Sequence, residues 1–489
     1  MQSEPASPKP NTVPILLAIL TLSGAAWAAE PIRLHPNNPH YFLFRGRPTV
    51  LVTSGEHYGA VLNADFDFAA YLKELEARRL NNTRVFAGAY WEVPGAFSIG
   101  NNTLAPEPAR YVSPWPRSST PGAGDGGSKF DLSRWNDAYF LRLKAFMREA
   151  ARRGVVVELN LFCPYYEDSM WNVSPLNARN NINGVGDAPR TEALTLKHPD
   201  LVAAEDAMVR KIAGELHEFD NLYYEICNEA WTGGVSIEFQ RHIAKTIAQA
   251  ESSLPRKHLI SQNILARSPR LDGPDDLVSI FNLHYSRPPA VVTENPRPKL
   301  ALGNNETGFD GSADSTYRIQ GWDFLMAGGA LYNNLDYSFT VSHEDGMFAY
   351  DEATPGGGSR MLRTQLGFLR RFFDEMPFVR MQPDAAVIRG GPAEGASARA
   401  LSEPGKVYAV YLHHGRVDPR AKPRYLVDGQ RRDATLVLDL PKGSYRVAWL
   451  NPKTGVVDRS ERLLHPGGEA RLRSPEYSED IALRVVAGR

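Results

Sequence analysis

Leu222-Tyr223-Tyr224-Glu225-Ile226-Cys227-Asn228-Glu229-Ala230-Trp231 is a short apolar run that stops on an amide and an acid. A run of that length, rich in aromatic and β-branched residues, reads as a strand buried on both faces, the kind found in parallel sheets. The same pattern recurs along the chain, at Val50 to Ser54, Thr83 to Ala87, Val155 to Leu161, Leu259 to Gln262, Val278 to Leu283, Lys299 to Gly303 and Ala330 to Asn334. Amphipathic stretches lie between them. Trp135, Tyr139, Leu143, Phe146 and Ala150 recur at helical spacing before Gly154, as do Leu201, Ala204, Met208, Ile212 and Leu216 after Pro199. Eight strands alternating with helices over residues 48–376 predict an α/β fold, a closed (β/α)8 TIM barrel rather than an open doubly wound sheet. No Gly-x-Gly-x-x-Gly or Gly-Lys-Ser/Thr follows any strand, so nucleotide binding has no support.

Past about Gln382 the helical period stops. Val407 to Tyr411, Thr435 to Leu440, Tyr445 to Leu450 and Ile481 to Val486 alternate like half-buried antiparallel strands, which predicts a small C-terminal β-sandwich. The division expected is a signal peptide over 1–29, a barrel over 30–382 and a sandwich over 383–489.

The chain has 489 residues with 43% hydrophobic composition, enough for a large core and a second smaller one. Its 55 lysines and arginines balance 56 acids, so no net field draws it to nucleic acid or an anionic membrane, and a neutral substrate fits. Lys9, the apolar run Val13 to Leu22 and the small residues Ala25-Ala26-Trp27-Ala28-Ala29 read as a secretory signal cut near Ala28. The run is shorter than the roughly 20 residues of a membrane span, which argues against an uncleaved anchor. The expected location is secreted or periplasmic. Cys163 and Cys227 are the only cysteines; they fall at the ends of strands three and four and read as small buried side chains rather than a bridge or a nucleophile.

Glu229 and Glu306, the latter in Leu302-Gly303-Asn304-Asn305-Glu306-Thr307-Gly308, each follow a strand run. In a barrel both then sit on the carboxyl-end face, where active sites are built. Two carboxyl groups in different protonation states are what glycosidic hydrolysis requires, one to protonate the leaving oxygen and one to attack the sugar. Two connections, Gly88 to Ser133 and Phe162 to Lys197, are long enough to be functional loops on that face. They carry Tyr90, Trp91, Tyr111, Trp115, Tyr165, Tyr166 and Trp171, whose rings either stack on sugars or pack the loops onto the barrel. Glu56 and His57 close strand one, either to bind sugar hydroxyls or to form a structural hydrogen bond. His343-Glu344-Asp345 lacks the spacing of a metal site, and neither a metal nor another cofactor is expected.

Asn228-Glu229 after strand four and Glu306 after strand seven resemble the clan A glycoside hydrolases. The resemblance implies that Glu229 is the acid/base and Glu306 the nucleophile. It further implies that Arg84, on strand two, keeps Glu306 ionised, against the alternative of a salt bridge at the barrel bottom, and that Asn228 donates to the sugar 2-hydroxyl. His284 and Tyr285 match the clan's strand-six pair but are adjacent, and strand neighbours point to opposite faces, so only one reaches the site unless the strand end twists. Where many clan members carry a tryptophan on strand eight, this chain has Tyr332, Asn333 and Asn334; Asn333 is the supporting candidate there, as is Trp231 beside the Asn-Glu pair. The sandwich resembles the accessory domains, named for collagen binding, that follow such barrels in secreted bacterial enzymes. The expectation is a secreted retaining glycoside hydrolase acting on an oligo- or polysaccharide, with a non-catalytic carbohydrate-binding barrel as the alternative. Sugar, linkage and oligomeric state stay open.

Overall fold

The computed structural model describes residues 30–265, 275–295, 299–351, 353–392 and 394–488. The signal sequence read over 1–29 lies outside them. Eight strands form a single parallel sheet: β1 (Leu51–Gly55), β2 (Asn82–Phe86), β3 (Val156–Phe162), β4 (Leu222–Cys227), β5 (Leu259–Ile264), β6 (Ile280–His284), β7 (Ala301–Thr307) and β8 (Leu331–Leu335). Each falls on one of the runs read from the sequence. The hydrogen-bonded order β1-β8-β7-β6-β5-β4-β3-β2 leaves only β1 and β2 without a regular ladder between them. Asn81 closes that gap. Its backbone N–H donates to Val52 O at 3.2 Å, its side-chain amide donates to Val50 O at 2.9 Å, and its Oδ1 accepts from Val52 N–H at 2.9 Å.

Outside β5 every strand residue is buried, because helices cover the outer face and side chains fill the inside. The helix Asp137–Arg152 starts on the Asn136 side chain, which accepts from Ala138 N–H, and buries Tyr139, Leu143, Phe146 and Ala150 as their spacing predicts. Pro199–Leu216 likewise buries Leu201, Met208, Ile212 and Leu216.

A three-stranded antiparallel sheet that the sequence reading did not anticipate, Arg33–His35, Asn38–Phe44 and Arg47–Thr49, caps the amino end of the barrel. Ile32 N–H donates to Asp220 O at 2.8 Å, and Arg45 reaches the Asp220 carboxylate at 2.6 Å, just ahead of β4. Phe42 is fully buried in the barrel core.

The C-terminal part is a sandwich of a six-stranded antiparallel sheet and a three-stranded one. Leu436 and Leu438 of the small sheet meet Val447, Trp449, Leu483 and Val485 of the large one in a separate core. The other face of the large sheet packs on the barrel helix Asp314–Met326. Tyr411 stacks on Trp322 with ring centroids 5.2 Å apart, and Arg318 donates to both Asp480 oxygens at 3.0 Å. Covered on both sides, that helix is buried continuously from Thr316 to Met326.

Candidate active site

The carboxyl ends of β2, β4, β6 and β7 bring Arg84, Glu229, His284, Tyr285 and Glu306 together. One oxygen of Glu229, one oxygen of Glu306 and Nδ1 of His284 all lie within 4.8 Å of one another. Glu229 follows β4 on a left-handed backbone (φ 37°), with its N–H held by Asn263 Oδ1 at 2.9 Å. Its Oε1 is 3.0 Å from His284 Nδ1, and its Oε2 accepts from Tyr166 O–H at 2.9 Å.

Glu306 is more enclosed, its side chain 8% exposed against 18% for Glu229. Tyr285 O–H donates to its Oε1 at 2.5 Å; Tyr58 O–H, at 2.9 Å, and Arg84 Nη1, at 3.2 Å, donate to its Oε2. Burial alone would raise the Glu306 pKa, but His284, Arg84 and the two phenols outweigh it and hold the carboxyl below the usual glutamate value. Burial pushes the Tyr58, Tyr166 and Tyr285 phenols up, so all three stay protonated and donate.

Arg84 is fixed from beneath by two further acids. Its Nε donates to Glu158 at 2.7 Å, and its Nη2 donates to Glu225 and, at 2.7 Å, to Asn228 Oδ1. Asn305 donates to Glu158 at 2.8 Å and to Glu225 at 2.9 Å, and Asn282 donates to Glu225 at 2.6 Å. Burial and the neighbouring Glu225 raise the Glu158 pKa against the pull of Arg84. The salt-bridge alternative for Arg84 and its contact with Glu306 are therefore both present, in one network.

His284 and Tyr285 both reach Glu306 although they are adjacent. The β6–β7 register slips at Leu283/His284, where Asn305 is the extra residue on β7, and Tyr285 turns into the left-handed region (φ 54°). The strand ends at that point, so the opposite-faces rule no longer holds. Trp231 meets the His284 ring edge-on at 5.3 Å.

Around the glutamates lies a cleft open to solvent, with about 50 Å³ of enclosed room; His57, Glu92, Phe97, Tyr166, Asn228 and Phe309 are among its lining residues. Among the described residues, five of the eleven non-glycine residues with left-handed backbones, Tyr58, Phe97, Glu229, Tyr285 and Phe309, lie in this one cleft. Strain of that kind gathers where side chains must be aimed at a ligand.

Other candidates take different places. Glu56 does not line the cleft: its carboxylate is spent on Gly59 N–H, Ala60 N–H and Thr103 O–H, within a turn after β1. His57 does line it and pairs with Glu92 at 3.2 Å; burial lowers its pKa, and Glu92 more than restores it. Tyr90 and Trp91 pack the loop rather than face a ligand. Tyr90 O–H donates to Glu92 at 3.1 Å, while Trp91 donates to Val173 O at 3.0 Å and stacks on Tyr111. Asn333 braces β7 through Asn305 O at 2.9 Å, below the cleft. Tyr166, one of the loop aromatics read from the sequence, does line the cleft, whereas Tyr58, Glu158, Glu225 and Asn305 are site residues that the sequence reading does not single out. Polar residues at alternate positions of apolar strands, such as Glu158 in Val156–Phe162 and Glu225 in Leu222–Cys227, were the available signal, since every second strand residue faces the barrel interior.

The Glu229, His284 and Glu306 trio has the donor types of a cation site. The arrangement does not suit one: the Glu306 oxygens already accept from two phenols and a guanidinium, and a metal ion there would meet the fixed charge of Arg84. Both cysteines are free and buried. Among the described residues no helix is long and apolar enough to cross a membrane.

No protein-family model and no curated protein matches the chain. Solved structures do. A candidate glycoside hydrolase from Bacteroides vulgatus matches with a TM-score of 0.64 at 14% identity, over 95% of this chain and 84% of its own. A second, named glycoside hydrolase, gives 0.61 at 13% identity over 94% and 98%. A family 5 glycoside hydrolase, also from Bacteroides vulgatus, gives 0.59 at 13% over 94% and 93%. This chain thus has the fold that the resemblance in its sequence implies, the barrel and C-terminal sandwich of glycoside hydrolases.

Proposed function

We propose that this protein is a retaining glycoside hydrolase with Glu306 as nucleophile and Glu229 as acid/base. The observation that carries the reading is the spacing of the two glutamates, with oxygens within 4.8 Å. Retaining enzymes hold their carboxyl groups about 5 to 5.5 Å apart, whereas inverting enzymes leave roughly 6.5 to 9.5 Å for a water.

Glu306, kept ionised by Arg84 and the phenols, attacks the anomeric carbon while Glu229 protonates the leaving oxygen. Glu229 then takes a proton from water, which releases the sugar from Glu306. His284 Nδ1, 3.0 Å from Glu229 and 3.5 Å from Glu306, steadies both carboxylates as the proton moves. Asn228 directs its amide hydrogens to Tyr166 O at 2.9 Å and to Cys163 Sγ at 3.5 Å, and a sugar hydroxyl would take the second in place of the weakly accepting sulfur. The substrate class is an O-glycoside, and export is proposed from the residues around Lys9 and Ala28; a mature N-terminus far from Glu30 would remove that part.

The test is release of nitrophenol from a panel of aryl glycosides, followed by Glu306→Ala with added azide. Hydrolysis by the wild type and a glycosyl azide from the variant are expected. Undiminished turnover by the variant would exclude Glu306, and no turnover by the wild type on any glycoside favours the binding-only barrel.

A further inference from the structure

Phe97 and Phe309 are 40% and 41% exposed and stand at the lips of the cleft. Each is set one ring outward from a glutamate. Phe97 packs edge-on against Tyr166 (5.2 Å, 89°), the phenol that donates to Glu229. Phe309 packs edge-on against Tyr285 (5.7 Å, 90°), the phenol that donates to Glu306. Both hold left-handed backbones (φ 53° and 58°), which a bulky side chain adopts only when its surroundings impose it. Neither residue stacks face to face on another ring among the described residues. Two large apolar groups therefore stay in water, on strained backbone, beside the two carboxylates.

The rest of the wall separates by polarity. His57 and Glu92, paired with each other, make one side polar, whereas Ile99, Leu104 and Leu335 join the two phenylalanines in an apolar surface. Only about 50 Å³ of the cleft is enclosed, well below the roughly 300 to 1,000 Å³ usual for ligand sites, so a leaving group bound there must lie across the open mouth, beside the two exposed phenylalanines. Glu229 must face the leaving oxygen, and Phe97 is the ring next outward from it.

We propose that Phe97 and Phe309 clamp the leaving group, and that the substrates are glycosides whose aglycone presents a planar apolar face, such as an aromatic ring. This rests on the hydrolase reading. Contact with the aglycone favours bound substrate and transition state alike, so its loss raises KM more than it lowers kcat.

Benzyl and methyl glycosides of whichever sugar the enzyme cleaves give the test, because the two alcohols are similarly acidic and differ mainly in the ring. The wild type should favour the benzyl glycoside in kcat/KM by roughly tenfold, the scale of one aromatic contact. Phe97→Ala and Phe309→Ala should each erase most of that ratio through KM, and Phe97→Tyr should restore it; Phe97→Leu, with a melting point matched to wild type, guards against misfolding. Equal rates on both glycosides in the wild type, a stronger preference for a disaccharide, or variants that slow both substrates alike would overturn the clamp while leaving the hydrolase standing. A wild type that cleaves neither these nor any aryl glycoside overturns the hydrolase reading, and the clamp with it.

Discussion

Arg84 Nη1 sits 3.2 Å from Glu306 Oε2 while the rest of its guanidinium is held by Glu158, Glu225 and Asn228. The arginine cannot swing away from the glutamate, and its charge acts in a site with little water to screen it. Arg84→Lys keeps one positive charge but reaches fewer of the four partners. The Glu306 pKa then rises from its lowered value, so a smaller fraction is ionised at any acidic pH. The acidic limb of the kcat/KM profile should move to higher pH, with kcat reduced by roughly 10² to 10³. An unmoved acidic limb in a folded variant would detach Arg84 from the ionisation of Glu306.

Glu229 and Tyr166 form the other half of the pair, joined at 2.9 Å. A proton donor matters most when the departing group is a poor one. Glu229→Ala should therefore lose roughly 10² to 10⁴ in kcat/KM on alkyl glycosides and far less on dinitrophenyl glycosides, whose leaving groups need no proton. Tyr166→Phe should shift the same comparison in the same direction by a smaller factor. Equal losses on both substrate types, read from steady-state rates, would rule out Glu229 as the acid.

The barrel was legible because seven of its eight strands are buried on both faces and so stand out as apolar runs, and the eighth, β5, falls in the same alternation with helices. The Glu229 and Glu306 pair was legible because strand ends define the face on which they lie. What the sequence hid depends on departures from regular geometry. The slip at Leu283/His284 and the left-handed turn at Tyr285 bring two adjacent side chains to one carboxylate, and no spacing rule announces them. Tyr90 and Trp91 were misleading for a related reason: an aromatic ring in a long loop looks the same on paper whether it meets a sugar or, as here, Tyr111 and Val173. The sheet Arg33–Thr49 went unread because its strands are short and flank the tight Arg45-Gly46 turn.

Asn81 bridges β1 and β2 through its side chain, with Val50 O and Val52 N–H both at 2.9 Å. Asn81→Ala leaves two buried backbone groups without those partners, at roughly 1 to 3 kcal/mol each. A loss of about 2 to 5 kcal/mol in unfolding free energy is expected, measured by denaturant titration. A change under half a kilocalorie would mean that the strands close without it.

The barrel and the sandwich share the helix Asp314–Met326, and Trp322 on that helix stacks on Tyr411 at 5.2 Å with an 18° tilt between the rings. A helix buried continuously from Thr316 to Met326 has no face adapted to water, so the barrel should depend on the sandwich to stay folded. Trp322→Ala removes a fully buried ring from this seam and should cost about 3 to 5 kcal/mol. Because the contact spans both parts, the loss should lower one shared unfolding transition rather than split it in two. Calorimetry reads the difference: two separated transitions in the wild type, or an unchanged transition in the variant, would show that the two parts stand independently and that the sandwich does not support the barrel.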